Sequence, residues 1–269
     1  MSKLTKKETS VHNQALDLLN KDKLTFTDRR FVLDNYHESA TNMNGIAGAF
    51  FTPKSTARDF SLEVRTGGAI VDLCAGIGSL VFDLVVQADY EQQDIDITCI
   101  ELNRDYYDIG RKLFPEANWI LGDITDFKLW SKLGFDPLNK RFDQAISNPP
   151  FGNIKTTIDT MPISYEGGQF EFKAVEISCI VANCATFIMP QGSTPFLTSG
   201  YKSEPDGHHA KKGRSVKYDK FSFTTGIELS YNIGIEVSTK GWKGVSPVCE
   251  IVKWEGVYAD DYQPKNLFE

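Results

Sequence analysis

Nowhere in this chain do apolar residues run on for the roughly eighteen positions a bilayer crossing needs, so no membrane span is expected. The charged start, MSKLTKKETS, has no apolar segment behind it. A secretory signal is therefore not expected, and a cytoplasmic location is. Cysteine pairs of the C-x-x-C kind are missing. The five cysteines (Cys74, Cys99, Cys179, Cys184 and Cys249) stand singly inside apolar stretches. That pattern suits buried, reduced thiols better than a disulfide framework. Histidine is scarce. His208 and His209 are adjacent in a loop with no cysteine beside them, and no metal site is expected. Positive charge is not in excess, since the net charge is −7. A wholly basic coat for nucleic acid is excluded, whereas a local basic groove is not. There is no internal repeat and no low-complexity segment.

What is present suffices for a core. Hydrophobic residues make up 41% of 269, enough for one large domain or a domain with a modest appendage. Residues 1–44 read as a helical extension. Leu16, Leu19 and Leu24 mark one amphipathic helix and DRRFVLDNYHES a second. After the Thr-Pro of GAFFTPKSTARDFSLEV, a helix is expected with Ser55 as its N-cap. Residues 45–269 then read as one catalytic domain with a long loop insertion at 191–217. Apolar runs and helical patterns alternate from GGAIVDL to ATFIMPQ without tight hairpin turns, which argues for a parallel sheet covered on both faces. KFSFTTGIELSYNIGIEVS and SPVCEIVKWEGV read as antiparallel strands closing one edge of that sheet.

The first chemical constellation is VDLCAGIG. Asp72 ends a strand, and Gly76 and Gly78 let a backbone approach a ligand closely. The spacing departs from the G-x-G-x-x-G dinucleotide fingerprint, because Val81 stands where the third glycine belongs. The second strand ends in CIELN, where Glu101 is placed to accept ribose hydroxyls. The third ends in ILGDITDF, where Asp123 is placed to accept an adenine amino group. Glycine turn, ribose acid and adenine acid on successive strands describe a nucleoside ligand without a phosphate clamp. S-adenosylmethionine is such a ligand. Cys74, Leu102 and Ile124 would line its site.

The fourth strand ends in DQAISNPPFG. An exocyclic amino group on a nucleobase is a weak nucleophile, and methylating it calls for acceptors that favour a pyramidal nitrogen. The Asn148 side-chain oxygen is one such acceptor and the Pro149 carbonyl a second. Pro149 and Pro150 fix the backbone and preorganise both. Phe151 offers a face for an extruded base. Gly167 and Gly168 read as a hinge, so that the segment after the motif orders over that base. Phe170 and Phe172 read as core.

DLCAGIG, IELN, GDITDF and SNPPFG, in this order, resemble the motifs of class I methyltransferases that modify amino groups, above all the gamma group of N6-adenine DNA methyltransferases. GAFFTP resembles the Phe-x-Thr-Pro segment of that group and of type I restriction-modification subunits, although Leu73 stands where those subunits often have proline. The resemblance implies a Rossmann-like α/β fold with a mostly parallel sheet, an antiparallel C-terminal edge hairpin and helices on both faces. It implies S-adenosylmethionine as cofactor, with Phe51, Thr52 and Pro53 at its methionine end. Asp72, Gly76 and Gly78 would line it, and Glu101, Asp123 and Asn148 would contact it. Asn148 to Phe151 would hold a target adenine in DNA. Residues 191–269 leave little room for a recognition domain, so a separate target-recognition subunit or a homodimer is a candidate partner. Lys211, Lys212, Arg214 and Lys217, interleaved with Tyr201 and Tyr218, are the candidate phosphate contacts. Methylation of RNA, of a protein glutamine amide, or a non-catalytic cofactor-binding subunit are the alternatives carried forward.

Overall fold

The structure is a computed structural model that describes residues 4–37, 50–134, 141–156, 158, 160–200, 215–243 and 245–256. Two short helices open it, α1 (Lys6–Leu19) and α2 (Phe26–Asn35). Each starts with a reciprocal cap, Thr5 with Glu8 and Thr25 with Asp28, as Thr-x-x-acid sequences favour. Next come α3 (Lys54–Ser61), β1 (Gly68–Asp72), α4 (Ser79–Glu91), β2 (Ile95–Glu101), α5 (Arg104–Leu113) and β3 (Asn118–Leu121). They are followed by α6 (Phe127–Lys132), β4 (Phe142–Ser147), α7 (Phe170–Val181), β5 (Ala182–Pro190), α8 (Val216–Thr225) and β6 (Cys249–Trp254). No helix among the described residues is long and apolar enough to cross a membrane.

The six strands form one sheet in the order β3-β2-β1-β4-β5-β6. All neighbours run parallel except β6, which pairs antiparallel with β5 from Ala185↔Trp254 to Pro190↔Cys249. Both faces are buried, and the alternation along each strand shows it. Val71, Ile100, Ala145, Phe187 and Val252 enter one core with α7 and α8. Ile70, Ile146, Ile188 and Ile251 enter another on the opposite face, with Ala57 and Phe60 of α3. Ile97 and Cys99 join Ala15, Val32, Leu33 and Phe51, so α1 and α2 share a core with the sheet. The strand order reverses between β1 and β4, which opens a crevice at their C-terminal ends.

The expected α/β architecture with its antiparallel edge is present, but three local expectations are corrected. Helix α3 starts at Lys54 with Pro53, not Ser55, at the N-cap position. Proline's fixed φ suits that start without a side-chain cap. KFSFTTG is helical. Tyr218 and Phe221, three residues apart, are both fully buried on one side of α8, and Gly226 ends the helix in the left-handed conformation. The Phe-Ser-Phe alternation signals nothing there, because Phe223 is 93% exposed. From GIELSYNIG the sheet gains only the isolated bridge Ser230↔Lys253, so the antiparallel edge is the single strand β6. Of the insertion at 191–217, residues 191–200 and 215–217 are among the described residues. It begins with a 3₁₀ turn at Gln191–Ser193, and Glu250 accepts hydrogen bonds from Gln191, Thr198 and Ser199. The five cysteines are thiols, with no disulfide among the described residues.

Candidate functional site

The C-terminal ends of β1, β2, β3 and β4 bring the expected residues to one edge of the sheet. After Asp72 the chain turns through Gly76 (φ +57°) and Gly78 (φ +91°), backbone that L side chains rarely adopt. A Cβ on Gly78 would lie 2.5 Å from the Phe114 ring, and one on Gly76 would lie 3.2 Å from the Phe51 ring. The turn is therefore wedged between aromatic side chains, and Phe51 packs behind it, edge-on to Tyr106 at 4.9 Å.

Two acids brace this turn. Glu101 accepts from the Gly76 N–H and the Asn103 N–H, each at 2.7 Å, and so ties the end of β2 to the glycine turn. Burial raises its carboxyl to about 7 against those two hydrogen bonds. Asp72 is fully buried. Its Oδ1 accepts from the Cys74 N–H at 3.3 Å, while its Oδ2 has no hydrogen-bond partner among the described residues. Burial first, and the Glu101 charge after it, push the Asp72 carboxyl up to about 8. Burial and the same two acids hold the Cys74 thiol well above its ordinary value. A buried acid with an orphaned oxygen is costly when ionised, and the raised pKa follows from that cost.

At the neighbouring strand ends Leu102 follows Glu101 and is 66% exposed, an apolar surface beside that acid. Asp123 turns back on its own loop, where Oδ1 accepts from the Thr125 N–H at 2.9 Å and the Thr125 hydroxyl at 2.7 Å. Ile124 is buried in the core next to it. The single Thr125 hydroxyl hydrogen is shared between Asp123 Oδ1 and the Ile158 carbonyl, and the Thr125 carbonyl accepts from the Thr160 and Met161 N–H groups. The segment after the Asn-Pro-Pro-Phe motif is thus tied to the Asp123 loop.

Asn148 leaves β4 toward the crevice. Its Nδ2 donates to the Phe50 carbonyl at 3.2 Å and to the Thr52 hydroxyl at 2.9 Å. A carbonyl can only accept, so this pairing fixes which end of the amide is nitrogen. Both amide hydrogens are used, and Oδ1 is left without a donor among the described residues. Pro149 is buried, Pro150 partly so, and the Pro149 carbonyl receives no hydrogen bond from the described residues. Phe151 is half-buried against the core that holds Ala57 and Phe60. Pro53 and Thr52 reach the site through the same segment that caps α3.

Sequence reasoning places Thr52 with a cofactor; the structure joins it to Asn148. It misses Glu171, the Phe50 carbonyl and Thr125 as parts of the site. Only an acid inside the apolar pattern of FEFKAVEIS hints at the first. Lys217 lies on the first turn of α8 and donates to Gln169 Oε1 at 3.3 Å, two residues before Glu171. Lys211, Lys212, Arg214, His208 and His209 lie outside the described residues. Phe170 and Phe172 are core, as expected. Gly167 and Gly168 serve close approach, since a Cβ on either would collide with Tyr165 or Asn153.

No protein-family model matches the chain, and no curated protein does. Among solved structures, the type I restriction-modification methyltransferase subunit from Streptococcus thermophilus gives a TM-score of 0.50 at 16% identity, over 84% of this chain and 49% of that one. The M protein of the type I restriction enzyme EcoKI gives 0.51 at 12% identity, over 97% and 57%. A structure from Listeria monocytogenes described as a class I S-adenosylmethionine-dependent methyltransferase gives 0.50 at 12%, over 96% and 89%. The chain therefore spans about half the length of the type I subunits it resembles. Likeness at these identities is likeness of fold. With its strand order and antiparallel edge, this chain has the Rossmann-like fold of class I methyltransferases.

Proposed function

We propose that the chain is an S-adenosylmethionine-dependent methyltransferase acting on the N6 amino group of adenine in DNA. The observation that carries this reading is the Asn148 amide, locked by Phe50 and Thr52 so that its oxygen is left free for a donor at the end of β4. An amino group brought there donates to Oδ1 and to the Pro149 carbonyl. Both interactions favour the pyramidal nitrogen that methyl transfer requires, and both acceptors are in place before the substrate arrives. Phe151 follows Pro150 and, on this reading, is the ring on which the base stacks.

The cofactor assignment is supported by charge. Two acids with raised pKa values, one of them fully buried with an orphaned oxygen, favour a ligand with positive charge and disfavour a phosphate-bearing nucleotide. When bound, S-adenosylmethionine supplies an electrophilic methyl group on a sulfonium. On this reading Asp72 lines the cofactor behind the glycine turn, Glu101 holds its ribose, and Leu102 and Asp123 lie at its adenine. No side chain needs to act as a base beforehand. The amine loses its proton to solvent once it has become cationic.

Incubation with tritium-labelled cofactor and parallel DNA, RNA and protein substrates tests the reading, with Asn148→Ala as control. Label in DNA, lost in the control, is expected. Label entering RNA or protein alone overturns the DNA assignment, and equal label with Asn148→Ala overturns the role of the amide.

A further inference from the structure

Every residue of α7 is buried, yet three of its twelve residues are charged: Glu171, Lys173 and Glu176. A buried charge is costly unless it is fully hydrogen-bonded. Glu171 is 1% exposed and spends its carboxylate on two groups far apart in sequence. Oε2 accepts from the Gly152 N–H at 2.8 Å, and Oε1 accepts from the Ser193 hydroxyl at 2.8 Å. Gly152 directly follows Phe151. Its carbonyl accepts in turn from the Phe170 N–H at 2.9 Å, and the Asn153↔Gln169 bridge continues the pairing. Both backbone polar groups of the residue leaving the Asn-Pro-Pro-Phe motif are therefore held by the first turn of α7. Ser193 carries the same anchor to the turn that ends β5.

Stability alone does not call for a carboxylate here, because a neutral acceptor satisfies the Gly152 N–H and the Ser193 hydroxyl at a smaller desolvation cost. What a carboxylate adds is direction, since it fixes one backbone N–H at one place. We propose that Glu171 is a positioning residue. Its buried carboxylate pins Gly152 so that the Asn148 oxygen, the Pro149 carbonyl and the Phe151 ring keep a single geometry toward the target amino group. This inference rests on the methyltransferase reading.

The test uses the full chain with Glu171→Gln, Glu171→Leu and Ser193→Ala. Hydrogen exchange of the peptide containing Gly152 is measured without substrate, cofactor affinity by calorimetry, and kcat and KM with the polymer that accepts label. Glutamine can accept from Gly152 through its oxygen and donate to Ser193 through its nitrogen, so it should retain most of the rate. Leucine should speed exchange at Gly152 and lower kcat on the order of 100-fold, the scale of a small misplacement of reacting groups, with cofactor affinity unchanged. Ser193→Ala should give a smaller loss of the same kind, and it decides the matter if the leucine variant does not fold. Unchanged exchange at Gly152 in the leucine and alanine variants, or a glutamine variant as slow as the leucine one, overturns the proposal. If the wild-type chain labels no polymer, the methyltransferase reading fails, and the exchange measurement alone still decides whether Glu171 pins the loop.

Discussion

Asp72 and Glu101 hold protons in the folded chain at pH values where ordinary carboxyls have lost them, at about 8 and about 7. Through these two groups the folded state binds more protons than the unfolded one between roughly pH 4 and pH 8, and their contribution to stability falls as pH rises through that window. The thermal midpoint of the ligand-free protein should be higher at about pH 5.5 than at about pH 8.5, and Asp72→Asn should flatten the slope. A cationic ligand reverses the preference, because it favours the ionised acids. S-adenosylmethionine should thus bind more tightly as pH rises toward 8 and release protons on binding, which calorimetry in buffers of different ionisation enthalpy reads directly. At Asn148 the expectation is kinetic. Asn148→Ala should cost about 100- to 1,000-fold in kcat, the scale of removing one preorganised polar group from a reacting centre. Thr52→Val removes one of the two acceptors that orient the amide and should cost up to roughly tenfold at saturating cofactor, the equivalent of one hydrogen bond.

Helices α7 and α8 meet through Phe172 and Phe221, stacked at 4.5 Å with ring planes 8° apart and both fully buried. Phe221→Ala should cost about 3–5 kcal/mol by opening a cavity there. Chemical denaturation would measure it, and early exchange of α8 amides would localise it. The same pair of helices shows how far sequence reading reaches. Strands β1, β2, β4 and β5 are legible because strands buried on both faces are near-continuous apolar runs. Helices α1 and α2 are legible in outline, although α1 ends at Leu19, short of Leu24, and buries His12 and Ala15 instead of Leu16. Helix α8 is not, because Phe-Ser-Phe mimics a strand, while its real signal, Tyr218 with Phe221 and then Gly226, spans little more than two turns. In the candidate site, Asp72, Glu101, Asp123 and Asn148 can be placed from strand ends alone. Glu171 cannot, because its role depends on residues 152 and 193 approaching it in space, and no local pattern encodes that approach.

The chain as a unit carries a net charge of −7 and would work, on this reading, against a polyanion. Binding then depends on a few local cations, with Lys217 beside the motif's exit loop and Lys211, Lys212 and Arg214 shortly before it in sequence. Replacing all four with alanine should raise KM for the polymer and leave cofactor affinity intact. The slope of log affinity against log salt should shrink by about one for each phosphate no longer neutralised. The Asn148 amide adds a constraint of a different sort. Its two acceptors, at residues 50 and 52, are synthesised almost a hundred positions earlier and dock from outside the sheet. A chain trimmed of everything before α3 would keep every motif residue from Asp72 to Phe151. Its amide, however, would be free to turn half a revolution and offer hydrogens where the proposed reaction needs an oxygen. On the proposed reading such a fragment would hold the motif residues yet be miswired, so a segment remote in sequence would set the polarity of the amide.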